Sequence, residues 1–182
     1  MLKGQFLRIV FIILGVISVG GCTGIPEGVQ PVKSFDIQRY QGVWYEIARL
    51  DHRFERGMDS VTATYELQND GTMSVLNRGY VVEERQWKQA EGVAKFVSDP
   101  TLGHLKVSFF GPFYGSYVVF KLDKENYEYA YVTSYNKDYL WLLSRTPKVS
   151  EAVLKDFEET VKQLGYSVDE LIYMKHIMAK NL

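Results

Sequence analysis

Between residues 42 and 145 the chain repeats one pattern: a short, aromatic-rich run of alternating apolar and polar side chains, then a turn. Alternation with period two sends successive side chains to opposite faces of a strand. Residues 61–67 show it most clearly. Val61, Ala63, Tyr65 and Leu67 share one face, and Thr62, Thr64 and Glu66 share the other. Asn69-Asp70-Gly71 then supplies a hairpin turn, because an Asp-Gly pair accepts positive φ. The same reading predicts strands at 42–50, 73–80, 86–97, 104–109, 116–122, 127–134 and 139–145. Consecutive antiparallel strands with short turns remove their exposed edges by closing. The expected fold is therefore all-β: an eight-stranded, up-and-down antiparallel barrel.

One α-helix is predicted after the last strand. Ser150 suits the N-cap, Glu151 favours the positive end of the helix dipole, and Gly165 suits the residue beyond the last turn. Val153, Leu154, Phe157, Val161 and Leu164 form one apolar stripe, expected to pack outside the barrel. A short strand is expected within 172–175.

At 182 residues the chain is long enough for one domain with a sizeable core, expected at 32–182. A net charge of −1 excludes nucleic acid as a partner, since phosphate binding needs a basic field. Thirteen tyrosines suit walls that are apolar along the ring and wet at the tip.

The first 21 residues read as a signal peptide. Lys3 and Arg8 precede the apolar run 9–19, which is too short to span a bilayer as a mature helix. Val19-Gly20-Gly21-Cys22 follows and resembles a bacterial lipobox, with cleavage before Cys22 and lipid on its thiol and amine. Several acyl chains together make a lasting anchor. Thr23, in place of an inner-membrane Asp signal, favours the cell outer membrane, and 22–31 reads as a lipidated tether. Cys22 is unique, so no intrachain disulfide forms.

Several strings carry a resemblance to a known family. They are Gly42-Val43-Trp44-Tyr45 continuing through Glu46-Ile47-Ala48-Arg49, Asp51-His52-Arg53-Phe54-Glu55-Arg56-Gly57, the run from Val107 to Gly115, Asp138-Tyr139-Leu140-Trp141, and Leu143-Ser144-Arg145-Thr146-Pro147. Over residues 32–173 the chain resembles the lipocalins, in particular their bacterial outer-membrane and apolipoprotein-D-like branch. The second lipocalin motif is altered here, with Asn136 where an Asp is usual and Tyr139 in the Tyr position.

The resemblance implies a barrel closed at one end, with Arg145 crossing Trp44 near Gly42 in a cation–π contact. Parity then assigns the lining. Trp141 and Leu143 share the face of Arg145, while Leu140, Leu142 and Ser144 look toward the helix. Tyr65, Asn77, Val107 and Phe109 face the interior with Trp141, in agreement with the family pattern. Parity is ambiguous on two strands; Tyr117 and Tyr131 are taken as the inward residues over Val118 and Tyr129. Phe110, Phe113 and Tyr114 surround a Gly-Pro kink, either packed among themselves or in the barrel, or exposed as a membrane-touching lip or a homodimer contact.

A tapered apolar cup suits an acyl chain, each buried CH₂ contributing about 0.8 kcal/mol. The resemblance implies fatty acids and lysophospholipids as ligands, held for storage or transport in membrane maintenance under stress. The runner-up is a structural or adhesive lipoprotein with a filled barrel. Catalysis is not expected. His52, His104 and His176 are scattered, with His52 read as a rim residue, and neither a thiol nucleophile nor a phosphate loop is present. No cofactor and no metal are expected.

Overall fold

The computed structural model describes residues 22–176. The expected signal peptide, 1–21, and residues 177–182 lie outside the described residues. Eight antiparallel strands run up and down: β1 (Gly42–Arg49), β2 (Met58–Leu67), β3 (Met73–Val81), β4 (Gln86–Phe96), β5 (His104–Phe110), β6 (Phe113–Leu122), β7 (Tyr129–Thr133) and β8 (Leu140–Ser144). β1 pairs with β2 on one side and β8 on the other, so the sheet closes into the expected barrel. A two-residue strand, β9 (Ile172–Tyr173), adds to β1.

A short helix before β1, α1 (Ile37–Tyr40), has no counterpart in the sequence reading. Asp36 accepts the Gln38 N–H and caps it. The longer helix α2 (Glu151–Gln163) begins as predicted, with Ser150 accepting the Val153 N–H. Gly165 takes φ +80° beyond its end and donates to the Lys162 carbonyl.

Alternation sorts the apolar side chains into two cores. Trp44, Met73, Val75, Leu105 and Val132 belong to the inner one. Ile47, Leu140, Leu142, Phe157 and Val161 belong to the outer one, between barrel and α2. Phe157 and Val161 are fully buried there, each contributing about 1.5–3 kcal/mol. One end of the barrel carries α1 and the turns 68–72, 97–103 and 123–128; the other carries the loops 50–57, 82–85, 111–112 and 134–139.

Candidate functional site

The first end is sealed. Trp44 is fully buried, and the Arg145 guanidinium carbon lies 3.9 Å from its ring centroid. Arg145 donates through Nε to Tyr127 O, through Nη1 to Val43 O and through Nη2 to Arg39 O. Trp44 Nε1 donates to Tyr40 O at 2.8 Å. Gly42 has φ +94°, and a Cβ there would stand 3.3 Å from Arg145 Nη1. The position therefore needs glycine for both backbone and space.

Above this floor the barrel is hollow. A cavity of about 710 Å³ opens at the far end, within the range of small-molecule sites. Tyr65, Asn77, Val107, Phe109, Tyr117 and Trp141 line it, joined by Val61, Ala63, Val75, Val132 and Leu143. Tyr131 is the exception among the expected wall residues. Its side chain faces outward beneath α2, where its hydroxyl meets Val153 O at 3.1 Å and Asp156 Oδ2 at 2.6 Å. Ala130 and Val132 take the inward positions instead. The phase of β7 is set by its pairing with β8, where Tyr131 opposes outward Leu142 and Val132 opposes inward Trp141.

Low on the wall three tyrosine hydroxyls form a chain. Tyr117 Oη lies 2.8 Å from Tyr40 Oη and 2.9 Å from Tyr65 Oη. Two bonds use two of the three protons, leaving one O–H for water or a ligand. Burial raises the pKa of all three, so they stay neutral.

Higher up lies an ionic cluster that the sequence reading missed. Simple alternation turns Glu46 inward with Trp44 but sends Arg49 outward. A bulge between Glu46 and Ala48 resets the phase, so Arg49 pairs with inward Trp141. Arg49 Nη1 donates to Glu46 Oε1 at 2.7 Å, and its Nη2 donates to Glu55 O at 2.8 Å. Glu55 accepts the Trp141 indole N–H at 3.1 Å and lies 3.0 Å from His52 Nε2.

Burial, then the charge of Glu55, raises the Glu46 pKa well above the usual carboxylate range. Burial acts the same way on Glu55, but His52, Trp141 and Arg49 outweigh it and hold that carboxyl low. His52 does sit at the open end; it is buried there and stacked on Phe54 at 4.1 Å. His104 Nε2 lies 3.0 Å from Ser116 Oγ, and His176 Nε2 donates to Glu46 O at 2.7 Å.

At the same end Phe110 is 83% exposed and Phe113 is 68% exposed, with Tyr114 half-buried beside them. Cys22 is exposed and free there, its carbonyl accepting the Ser116 N–H at 2.9 Å. In the altered second motif Asn136 still bonds the turn, accepting the Asp138 N–H and donating to its carboxylate.

A greasy, one-ended cup of this kind defines a class: a barrel built to enclose a small hydrophobic molecule. Residues 35–176 match the family described as a lipocalin-like domain, and the chain belongs to the lipocalin family. It is 56% identical over 169 residues to the outer membrane lipoprotein Blc of Vibrio cholerae, covering 93% of this chain and 99% of that protein. It is 50% identical to the outer membrane lipoprotein Blc of Escherichia coli K12, covering 82% and 84% respectively. The fold matches insecticyanin from Manduca sexta with a TM-score of 0.68 at 21% identity, over 86% of this chain and 88% of that one.

Proposed function

We propose that the protein is an outer-membrane-anchored carrier that takes fatty acids or lysophospholipids into its barrel for storage or transport in membrane maintenance under stress. The hollow interior carries this reading, because a large, mostly apolar, singly opened space accommodates an acyl chain with its head group near the mouth. The anchor is Cys22, the one thiol in the chain, which follows an apolar export-like run. The relatives named as outer membrane lipoproteins support the same location. Binding rather than catalysis fits the family, and the ionic cluster acts as a polar collar near the opening.

The test is native mass spectrometry of the protein extracted from its own membrane, beside its Cys22→Ser variant. The expected result is adducts of fatty-acid or lysophospholipid mass, lost on delipidation and regained on adding lipid, with a change in Trp141 fluorescence. Cys22→Ser should carry the same adducts yet leave the membrane fraction. Absence of adducts and of fluorescence change across acyl-chain lengths would leave the structural lipoprotein as the reading. A Cys22→Ser protein that stays in the membrane would refute the anchor.

A further inference from the structure

Among the described residues strand pairing stops short at several places in the barrel wall, and two of these seams are treated differently. β1 and β2 stop pairing at Tyr45 and Thr62. Residues 172–176 fill that seam: β9 pairs with Ala48 and Arg49, Met174 N–H donates to Ile47 O, and the Ser60 N–H and hydroxyl donate to Lys175 O. The second seam lies between β4 and β5. β4 runs over Gln86–Phe96, yet only Val93 to Phe96 are paired, against Ser108 to Leu105. Among the described residues no strand pairs with the β5-facing edge of 86–92.

A groove of about 600 Å³ lies at this unfilled seam, and Val75, Phe109 and Tyr114 line both it and the main cavity. Phe109 packs against Gly92 so closely that a Cβ there would meet its ring at 2.8 Å. One aromatic side-chain layer thus separates the outside of the wall from the cup. The tip that carries exposed Phe110 and Phe113 stands at the upper end of the same seam. Lys95 and Lys106 flank Tyr114 at 4.7 and 5.2 Å from its ring centroid, offering two ammonium groups to lipid phosphates; Glu91 lies on the groove as well. Cys22 is bridged to Gly115 on the strand that continues this tip, so acyl chains on Cys22 would leave the protein beside it.

Exposed phenyl rings and an anchor point meet at one edge of the mouth, with two basic side chains lower on the same wall beside the Tyr114 ring, and a bilayer interface accommodates all three. Resting on the anchoring of Cys22, we propose that the β5–β6 tip and the open β4–β5 seam form a lipid-loading face. That face lies on the leaflet that holds the Cys22 acyl chains. A lipid tail then passes from the bilayer past Phe109 into the cup without crossing bulk water.

The test uses the lipidated full chain in vesicles of phosphatidylethanolamine and phosphatidylglycerol. Its anchor consumes Cys22, so Phe110→Cys or Lys124→Cys carries an environment-sensitive dye at one site. The dye at 110 should move into an apolar environment and be quenched by brominated lipid, while the dye at 124, at the sealed end, stays in water. Phe110→Ser combined with Phe113→Ser should slow transfer of a fluorescent fatty acid from vesicles about tenfold, the scale expected when interfacial apolar area is lost. Affinity for the same fatty acid supplied from solution should fall by much less than the transfer rate, since both rings also line the cavity mouth but are mostly exposed there. A dye at 110 that stays in water overturns the proposal. So does wild-type transfer with binding intact, or a double variant that alters only self-association. If wild-type protein takes up fatty acid from neither source, the carrier function itself fails.

Discussion

The two ends of the barrel solve opposite problems with the same kind of residue. At the sealed end Arg145 lies half in solvent, spreads its donors over three backbone carbonyls and covers the Trp44 indole. Its charge keeps part of its hydration, so the lid costs little. At the open end Arg49 is almost wholly buried, between Glu46 and the Glu55 carbonyl. There the desolvation cost is large, and it is offset through Nη1 and Nη2 by Glu46 and the Glu55 carbonyl, while the buried Nε has no hydrogen-bond partner among the described residues. The difference is between a cation that finishes a floor and a cation that holds a collar around an aperture.

That comparison is broken most forcefully at Arg49. Arg49→Leu removes one partner of a buried cluster and should cost about 3–5 kcal/mol, read from urea unfolding. A cost near that of an ordinary surface substitution would show that the collar is not held by this charge. Arg145→Ala should cost less, about 1–2 kcal/mol, since its loss exposes the indole but strands no buried charge. An unchanged melting midpoint would remove the lid from the account of barrel closure.

The smallest effect sharpens the contrast by pH. Glu46 keeps its proton in the fold above the ordinary value of 4.5, where the unfolded chain loses it. The folded state then binds more protons, so this contribution to stability is complete below about pH 4.5 and declines as pH rises toward the raised value. Glu55 works in the other direction, losing stability as pH falls below 4.5 toward its lowered value. Glu46→Gln should therefore flatten the decline above pH 4.5 while leaving the acid-side loss in place. Stability curves of the same slope above that pH would show that the buried proton on Glu46 is not there.

Much of the site was legible where a strand keeps strict alternation. On β8 the inward Trp141 and Leu143 and the outward Leu140 and Leu142 follow directly from period two. On β2 and β3 the same rule turns Tyr65 and Val75 inward. It failed where phase depends on a partner. Nothing within residues 127–134 distinguishes Tyr131 from Val132 as the inward residue, because both faces of β7 are covered and both are apolar. Arg49 escaped for a related reason: a one-residue bulge reverses the face of everything after it.

The chain by itself determined an alternating β pattern, a capped apolar-striped helix, the Trp44 and Arg145 motifs and a single cysteine, since each is a local property of neighbouring residues. Tertiary structure alone decided the bulge that buries Arg49, the outward turn of Tyr131, the hollow centre, and the meeting of Cys22 with the Phe110 and Phe113 tip. These depend on which strands pair, where pairing stops and what fills the gap. Such features arise between residues far apart in sequence, where short-range periodicity carries no information.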